Sequence, residues 1–362
     1  MGGGPRKTHT RGGNPLKAVV LQTGSRIALE EVPEPQVQER SDVIVRVTTA
    51  AICGSDIHIV HGLMPGVPPG TIMGHEFVGI VEKAGPDVTL FQPGDRVAAP
   101  AAVWCGTCRF CRRGQVQYCV NGGVWGGGEL FGKGLAGVQT ALVRVPYAEC
   151  CLVPIPDSVP DEQAVFVGDV FSTGFHAARE AQIQTGDSVA VFGCGPIGLA
   201  ALVAAWQFGP RRVFGIDVLD NRLALAEHYG ATAIDARETN VVERLRSMTA
   251  GDGVDVAVEA AGTQDTMMAA LRSVRRGGAV SVVGIFPQPM TVPLNELVPY
   301  GLRISMGLGN LGRMRELMGL IEEKRVDLAP FVTHTFALDE AQAAYELFEH
   351  RKDACVKVLL KP

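Results

Sequence analysis

One stretch decides the fold of this chain: SVAVFGCGPIG, residues 188–198. It opens with a Val-rich run, as a buried strand requires, and an Ala- and Leu-rich helical pattern follows over residues 197–208. Between them stands the pattern G-x-G-x-x-G, which comprises Gly193, Gly195 and Gly198 with Pro196 and Ile197. Glycines in this context let the backbone turn tightly and approach a pyrophosphate at a helix N-terminus. The stretch therefore predicts a dinucleotide-binding loop; a bare turn in a ligand-free fold is the alternative.

The alternation of strands and helices continues towards the C-terminus. Further patterns lie, in order, at 212–216 (strand), 220–229 (helix), 254–258 (strand), near 264–275 (helix) and 279–283 (strand). Strands separated by helices at this spacing form βαβ units, so we expect a doubly wound parallel sheet. The tail, residues 311–362, adds two helical patterns and a final strand at 356–360.

The first half of the chain has a different texture. Short apolar runs bounded by Gly, Pro and Asp indicate strands at 17–21, 43–47, 77–81 and 96–99. This pattern predicts a strongly bent, mainly antiparallel β domain. Residues 1–15 have no apolar core and are predicted to form a disordered leader, neither a signal peptide nor a membrane helix.

Composition narrows the function classes. Of the 362 residues, 46% are hydrophobic and 20% are charged, which is typical of a globular protein of about two domains. The net charge of −5 gives no support for nucleic-acid binding, which would need a basic face. Residues 188–210 carry no charge, but their glycines and prolines favour a buried strand, turn and helix over a membrane span. Nine cysteines without a secretory signal favour a reduced, cytoplasmic environment.

An acidic residue completes the dinucleotide-binding pattern. Asp217 lies at the end of the strand that follows the glycine loop. A carboxylate there can accept hydrogen bonds from both adenosine ribose hydroxyls and would repel a 2′-phosphate. The first basic residue after it is Arg222, which joins the candidate cofactor-binding residues, and Asp220 adds negative charge. The sequence therefore favours NAD over NADP.

Four cysteines lie close together in the order C-x2-C-x2-C-x7-C: Cys105, Cys108, Cys111 and Cys119. Four thiolates on one loop can close a tetrahedral zinc site, which is coordinatively full and therefore structural. An iron–sulfur cluster is the alternative, but the bacterial ferredoxin run has three residues before its fourth cysteine and a proline after it. Zinc is favoured, and Arg109, Arg112 and Arg113 could offset the negative charge of the thiolates.

A second group of ligand-type residues lies at strand ends and in the loops between strands. It comprises Cys53, His75 and Glu76, and Asp169 lies later, just before the nucleotide-binding unit. Singly, each has a plain alternative, such as a small buried thiol, a structural histidine or a surface charge. Together, a sulfur, a nitrogen and carboxylates around one cation, with a position open to water or substrate, are typical of a catalytic zinc site.

The segment that begins at Gly74 matches a zinc signature at every position. The signature is G-H-E-x2-G-x5-G-x2-V, and the matching residues are Gly74, His75, Glu76, Gly79, Gly85 and Val88. With the order of β domain, cysteine lobe and nucleotide-binding domain, it makes the chain resemble the zinc-dependent medium-chain alcohol dehydrogenases over residues 16–362. The resemblance implies an α/β protein with a GroES-like catalytic domain and a Rossmann domain. The implied boundaries are 16–172 for the catalytic domain with the structural-zinc lobe at about 100–120, 173–307 for the Rossmann domain, and 308–362 for a return to the catalytic domain.

The resemblance implies two zinc ions per protomer and NAD as cofactor. The catalytic zinc would be held by Cys53, His75 and Asp169, with Glu76 as a fourth or exchangeable ligand. Many relatives carry a second cysteine where Asp169 stands, and the D-x-x-x-T-G-x-H pattern that begins there resembles the bacterial secondary-alcohol and glutathione-independent formaldehyde dehydrogenases. Enzymes of the secondary-alcohol type commonly lack the structural-zinc cysteines, so the substrate class stays open.

The resemblance also implies the reaction. Zinc would lower the pKa of an alcohol, and hydride would pass to the nicotinamide, beside which Thr173 would pack. Ser55 would take the released proton first, and the ribose hydroxyl or His58 would take it next; a water-exposed loop histidine is the alternative for His58. Asp56 would support a zinc-ligating imidazole.

The leading interpretation is an NAD-dependent zinc alcohol dehydrogenase acting on primary or secondary alcohols, reversible to aldehydes or ketones. A polyol or threonine dehydrogenase of the same superfamily comes second; a non-catalytic NAD sensor and an electron-transfer protein are alternatives from other classes. The family implies a homodimer or homotetramer joined through an edge of the nucleotide-binding sheet, for which the strand near 279–283 is the candidate. The candidate pocket residues, each at least as compatible with plain core, are Trp104, Trp125, Ile285 and Leu308.

Overall fold

Two large sheets organise the chain, one mainly antiparallel and one parallel. The computed structural model describes residues 15–129 and 132–362, so the predicted leader, apart from Pro15, lies outside the described residues. Within these ranges, no helix is both long enough and apolar enough to cross a membrane.

The N-terminal half contains short strands, as predicted, and also helices that the sequence analysis did not predict. Its strands are β1 (Leu16–Gln22), β2 (Arg26–Val32), β3 (Val43–Ile52), β4 (Glu76–Ala84), β5 (Arg96–Ala99), β6 (Ala102–Val103), β7 (Gly123–Val124), β8 (Leu142–Val145) and β9 (Val153–Pro154). Its helices are α1 (Gly54–Val60), α2 (Ala148–Cys151), α3 (Asp161–Ala164) and α4 (Val170–Glu180). β3 lies at the centre and pairs antiparallel with both β4 and β8.

A six-stranded parallel sheet follows, which confirms the predicted doubly wound unit. Its strands are β10 (Ser188–Phe192), β11 (Arg212–Asp217), β12 (Thr232–Asp235), β13 (Val254–Glu259), β14 (Val274–Val282) and β15 (Arg303–Met306). The helices of this region are α5 (Pro196–Ala205), α6 (Asp220–His228), α7 (Val241–Met248), α8 (Gln264–Ser273) and α9 (Leu294–Leu297). The strand order β12-β11-β10-β13-β14-β15 reverses beside β10, the strand that leads into the glycine loop.

The tail returns to the first sheet. It contains α10 (Met314–Glu322), β16 (Val332–Ala337), α11 (Ala341–Glu349) and β17 (Lys357–Lys361). β17 pairs antiparallel with β3 and parallel with β16. The larger sheet therefore runs β16-β17-β3-β4-β5-β9, and its central strands come from both ends of the sequence.

The prediction that 279–283 forms the edge of the parallel sheet is wrong. That segment belongs to β14, which pairs with β13 on one side and β15 on the other. The outer strand on this side is β15, with the sequence RISM. Three of its four residues are exposed, so it lacks the apolar run that marks the buried strands in the sequence.

A close helix pair joins the two halves. Helix α4, which begins after Asp169, packs on α5, which begins within the glycine loop. Gly174 permits this approach, because a Cβ there would lie only 2.5 Å from the backbone of Ala200 and Ala201. The packing therefore fixes the segment that carries Asp169 against the nucleotide-binding unit.

Candidate zinc and cofactor sites

The first candidate site forms where three strand ends meet. β3 pairs antiparallel with β4, with Ala51 opposite Glu76, so the end of β3 lies beside the start of β4. Cys53 follows β3 directly, and His75 precedes β4. The ligand atoms of Cys53, His75, Glu76 and Asp169 all lie within 4.8 Å of one another. The structure thus brings together all four residues of the second group.

Asp169 enters this cluster from a third, distant segment of the sequence. It is the residue before α4, and its Oδ2 lies 3.3 Å from His75 Nε2. Thr173, one turn along α4, donates a hydrogen bond to Asp169 Oδ1 at 2.9 Å. The Thr173 hydroxyl therefore orients the carboxylate and leaves its other oxygen directed towards the histidine.

Asp56 supports the cluster from behind. Its carboxylate is fully buried; Oδ2 accepts a hydrogen bond from the backbone N–H of Cys53 at 2.9 Å, and Oδ1 lies 3.3 Å from His75 Nδ1. A carboxylate on one ring nitrogen directs the other nitrogen, here Nε2, towards a metal. This placement agrees with the supporting role expected for Asp56.

The donor set fits a zinc ion. A thiolate, an imidazole and carboxylates are the ligands of catalytic zinc, and this cluster is largely buried. Glu76 is 0% exposed, and its Oε2 has no hydrogen-bond partner among the described residues. A buried carboxylate oxygen without a partner is costly, and a metal ion at the centre of the cluster would satisfy it.

The electrostatics of the cluster favour positive charge. Burial by itself lowers the pKa of His75, but Asp56, Cys53 and Asp169 outweigh it and raise that pKa well above its ordinary value. Burial raises the pKa of Glu76, and the Lys357 ammonium opposes this shift. Because acidic ligands outnumber the one buried lysine here, the site suits a divalent cation.

The sequence analysis missed Lys357. This lysine opens β17, is fully buried, and its Nζ donates to Glu76 Oε1 at 2.5 Å. It reaches the cluster because β17 pairs with β3, with Val358 opposite Ile52. A lysine between apolar neighbours in a strand expected to be buried was the available signal, since such a group requires an anionic partner.

The proposed relay residues lie on α1, directly after Cys53. Ser55 and His58 are both half-buried. Burial, together with the nearby His61, lowers the pKa of His58. His58 is therefore neutral at pH 7, and its buried Nδ1 has no hydrogen-bond partner within the described ranges. A neutral imidazole with a free ring nitrogen has the properties that a proton relay needs.

The four-cysteine lobe has the dimensions of a single-zinc site. Its sulfur pairs lie 3.6 Å (Cys105 and Cys119), 3.5 Å (Cys108 and Cys111) and 4.0 Å (Cys108 and Cys119) apart. A tetrahedron with Zn–S bonds of ~2.3 Å has edges of roughly 3.8 Å. Cysteines that bind different iron atoms of a cluster lie farther apart, so the geometry favours zinc over the iron–sulfur alternative.

Hydrogen bonds in the lobe favour thiolate at its first cysteine. Asn121 Nδ2 and Thr107 Oγ1 donate to Cys105 Sγ, at 3.4 and 3.6 Å. Burial opposes ionisation, but these hydrogen bonds outweigh it and lower the pKa of Cys105 to about 5. Arg109 stacks over the ring of Phe110, with its guanidinium carbon 4.6 Å from the ring centroid. The hydrogen bonds from Asn121 and Thr107 thus favour the thiolate form of Cys105, which is the form that binds a metal ion.

The glycine loop leaves a path open for a pyrophosphate. Gly193 has φ +89°, and a Cβ on Gly198 would lie 1.7 Å from the Gly193 carbonyl oxygen, so both positions require glycine. Around Gly195, by contrast, a Cβ would meet nothing closer than 3.6 Å. The loop therefore packs tightly against the sheet and keeps an open surface at the N-terminus of α5, which fits a dinucleotide phosphate.

Asp217 lies at the end of β11, against this loop. Its Oδ2 accepts a hydrogen bond from the backbone N–H of Cys194 at 2.7 Å. Its Oδ1 accepts from Val218 and Leu219. Arg222 Nη1 lies 3.6 Å from Asp217 Oδ2. The structure brings the acid, the loop and Arg222 together, as the dinucleotide-binding pattern requires.

The candidate pocket residues divide into two groups. Trp125 is 2% exposed, packs edge-on against Phe77 and donates from its indole to the Pro100 carbonyl, as a core residue does. Trp104 is also buried, whereas Ile285 and Leu308 are exposed. The two tryptophans therefore belong to the core, which is the alternative that the sequence left open.

These features define a class: an oxidoreductase with a nucleotide-binding sheet and clusters suited to zinc.

An alcohol dehydrogenase GroES-like domain family matches residues 39–157, and a zinc-binding dehydrogenase family matches residues 196–323. An alcohol dehydrogenase from Cupriavidus necator is 38% identical, covering 96% of this chain and 99% of the relative. A sorbitol dehydrogenase from Bacillus subtilis is 34% identical, covering 98% of this chain and 99% of the relative.

Solved structures agree with these relatives. An alcohol dehydrogenase from Thermus sp. ATN1 superposes with a TM-score of 0.90 at 40% identity, covering 95% of this chain and 99% of that one. The chain therefore belongs to the zinc-dependent medium-chain alcohol dehydrogenase family. It is an oxidoreductase of alcohol and carbonyl substrates that uses zinc and a nicotinamide cofactor.

Proposed function

We propose that this enzyme oxidises a primary or secondary alcohol with NAD, reversibly, and holds two zinc ions of different function. The observation that carries the proposal is the buried cluster of Cys53, His75, Glu76 and Asp169, whose ligand atoms lie within 4.8 Å of one another. Its mixed donors are suited to catalysis rather than to a closed structural site.

Cys53, His75 and Asp169 would hold the catalytic zinc, with Glu76 as a fourth or exchangeable ligand. When bound, the zinc ion supplies a Lewis acid that lowers the pKa of the substrate hydroxyl, and the nicotinamide accepts hydride. Asp56 fixes the orientation of His75, and Lys357 restrains one oxygen of Glu76. Thr173 holds Asp169 and, from the first turns of α4, would pack beside the nicotinamide.

Ser55 and His58 would remove the substrate proton. Both lie on α1 within five residues of Cys53, and His58 keeps one ring nitrogen free within the described ranges. The lowered pKa of His58 keeps its ring neutral near pH 7, which is the form that can accept a proton. The proton would pass from the Ser55 hydroxyl to the cofactor ribose hydroxyl or to His58.

The cofactor preference is proposed to rest on Asp217. Its carboxylate lies at the carboxyl end of β11, where the adenosine ribose of a dinucleotide is bound in sheets of this topology. A negative charge there would repel the 2′-phosphate of NADP. The loop Gly193, Gly195, Pro196, Ile197 and Gly198 would receive the pyrophosphate.

The lobe of Cys105, Cys108, Cys111 and Cys119 is proposed to hold the second zinc. Four sulfurs leave no position for substrate, so this zinc would stabilise the lobe and take no part in the reaction. Its chelation should therefore be slow, in contrast to that of the catalytic zinc.

A polyol substrate is the second candidate, because the relative from Bacillus subtilis that is 34% identical is a sorbitol dehydrogenase. The zinc and cofactor chemistry would be the same, and only the walls of the substrate pocket would differ. A panel of ethanol, 2-propanol, sorbitol and threonine separates the two. Preference for the simple alcohols supports the first proposal, preference for sorbitol supports the second, and preference for threonine contradicts both.

We further propose that two copies join along β15. On this outer strand, Met306 is 70% exposed and Ile304 is also exposed, and Val298, five residues before the strand in sequence, is 75% exposed. An unpaired strand with apolar neighbours can pair with its symmetry mate and continue the sheet. Light scattering should give a dimer or tetramer that Met306→Glu dissociates and that Leu90→Glu, at an exposed site in the first domain, leaves intact. A wild-type monomer would contradict this proposal.

The proposed activity is tested by steady-state kinetics with NAD and NADP on the zinc-loaded enzyme. We expect oxidation of simple alcohols with a higher kcat/KM for NAD. A higher kcat/KM for NADP would contradict the cofactor assignment, and an enzyme with zinc and NAD bound but no oxidation of any alcohol would contradict the activity.

A further inference from the structure

Gln139 lies between the two backbone segments that lead into the ligands Cys53 and His75. Its backbone N–H donates to the Met73 carbonyl at 3.0 Å. Its side chain is 0% exposed, and Nε2 lies 3.5 Å from the carbonyl oxygen of Ala51. Ala51 is two residues before Cys53, and Met73 is two residues before His75. One buried residue thus contacts both segments that carry a ligand.

The side chain of Gln139 also packs directly against Gly74, the residue before His75. A Cβ on Gly74 would lie 2.5 Å from Gln139 Cγ and 2.8 Å from Nε2, and Gly74 has φ +86°. Glycine is therefore required for this close approach. Because the contact leaves no free space, a change in the position of the Gln139 amide would alter the packing of the backbone next to His75.

Tyr345 fixes the orientation of this amide. It lies on α11, is 5% exposed, and donates from its hydroxyl to Gln139 Oε1 at 2.8 Å. Because Oε1 accepts this bond, the amide presents its NH2 group to the Ala51 carbonyl, whereas the reverse orientation would place two oxygens against each other. Burial raises the pKa of Tyr345 well above its ordinary value, and nearby Asp56 adds to this, so the hydroxyl keeps the proton that it donates.

We propose that Tyr345 and Gln139 are positioning residues that set the spacing of Cys53 and His75, and thereby the fit of the catalytic metal site. The proposal rests on the proposed function, because it needs a metal ion at that cluster. Tyr345 acts on the site only through Gln139. Without the hydroxyl, a buried amide oxygen loses its donor, so the amide turns and no longer holds the two segments in place.

The test uses Tyr345→Phe with zinc in the lobe and either zinc or cobalt(II) at the catalytic cluster. By chelator competition, we expect the affinity of the catalytic cluster for zinc to fall roughly 2- to 10-fold, the range of one neutral hydrogen bond, with no change at the lobe. The thiolate-to-cobalt charge-transfer band of Cys53 should shift, because the geometry around this sulfur changes. An unchanged affinity or an unchanged band would overturn the proposal.

Tyr229→Phe is the matched control. The Tyr229 hydroxyl also donates to an uncharged oxygen, the Asp327 carbonyl at 2.9 Å, but Tyr229 follows α6 in the nucleotide-binding region. This variant should keep the wild-type zinc affinity and cobalt band at the catalytic cluster. An equal fall in affinity in the two tyrosine variants would indicate a general loss of structure and would overturn the proposal.

A double variant tests whether the two residues act as one unit. Gln139→Met should lower the zinc affinity of the catalytic cluster, and Tyr345→Phe/Gln139→Met should lower it no further, because the hydroxyl acts only through the amide. Additive losses would contradict this route. If Gln139→Met does not fold, Tyr345→Phe and its Tyr229→Phe control still decide the proposal.

The wild-type protein separates this proposal from the proposed function. If the wild type binds no metal ion at the catalytic cluster, the proposed function fails, and this proposal fails with it. If the wild type binds cobalt(II) there with a thiolate band and Tyr345→Phe has the same affinity and the same band, only the role of Tyr345 and Gln139 fails.

Discussion

The two clusters suited to zinc differ in how the chain builds them. The lobe takes four sulfurs from one short segment, 105–119, and its sulfur pairs lie at the spacing of a closed tetrahedron. The other cluster takes one sulfur, one nitrogen and two carboxylates from segments around residues 53, 75 and 169. Identical, local ligands give a closed site, whereas mixed ligands from distant segments leave room for exchange.

The surroundings of the two clusters differ as well. His75, Glu76 and Lys357 are buried beneath the junction of β3, β4 and β17, whereas three of the four lobe cysteines are only half-buried. The lobe can form when its own loop folds, but the other cluster needs β3, β4 and α4 in place. Metal binding at the second cluster is therefore coupled to the packing of these distant segments.

The largest expected effect separates the two clusters. Asp169→Ala should lose the catalytic zinc and reduce kcat/KM by more than the ~100-fold that loss of an outer supporting group costs, because a direct ligand is removed. Elemental analysis should still find the lobe zinc. An active variant with two zinc ions would contradict the assignment of Asp169.

The converse variant is Cys111→Ser. It should lose the lobe zinc, keep the catalytic one and lower the Tm, while activity measured well below the Tm is retained. Loss of catalytic zinc in this variant would show that the two clusters are not independent.

The buried ion pair should matter more than a surface pair on the same strand. Lys357→Met leaves the Glu76 carboxylate buried without its partner, and we expect a loss of about 3–5 kcal/mol of stability in the zinc-free protein. Lys361→Met is the matched control, because Lys361 pairs with Glu162 in partly exposed positions and its loss should cost only ~0–1 kcal/mol. Thermal unfolding measures both, and equal losses would contradict the distinction.

A smaller effect is expected from Asp56→Asn. This substitution preserves the shape of the side chain but removes the charge that orients and polarises His75. Zinc affinity at the catalytic site should fall by roughly 10- to 100-fold, and the lobe zinc should be unaffected. Competition with a chromogenic chelator measures the two affinities, and an equal fall at both sites would indicate a general loss of structure.

The smallest effect concerns pH. Burial and His61 disfavour the protonated form of His58, so its pKa lies below the ordinary 6.5. Alcohol oxidation should therefore decline only as the pH falls below 6.5. The same lowered pKa makes the folded state less stable as the pH falls, because the histidine of the unfolded chain takes up a proton at a higher pH than that of the folded chain. His58→Gln should remove this decline at acidic pH from the kcat/KM profile. Oxidation should slow by ~10²-fold or less, because acid–base groups contribute ~10²–10⁴-fold and His58 is only one member of the relay. An unchanged profile would exclude His58 from the relay.

The sequence predicted most of the fold and the ligand groups, because these have local signatures. The glycine loop, the spacing of the four cysteines and the G-H-E segment each mark a short piece of backbone with a definite chemistry. The alternation of strands and helices extended this to the parallel sheet, and the match to the family confirms the architecture.

Features without a local signature were missed. Lys357 reaches Glu76 across 281 residues of sequence, and only the pairing of β17 with β3 brings them together. The outer strand β15 was missed because an exposed strand of four residues has no apolar run.

The central claim is that the two clusters hold zinc ions of different accessibility. Its most direct test is elemental analysis of zinc and iron per protomer before and after mild chelation, with NAD-linked alcohol oxidation measured in parallel. We predict two zinc ions and no iron, with one zinc removed by the chelator together with the activity and the other retained. One tightly held zinc without activity, or iron in the lobe, would contradict the account.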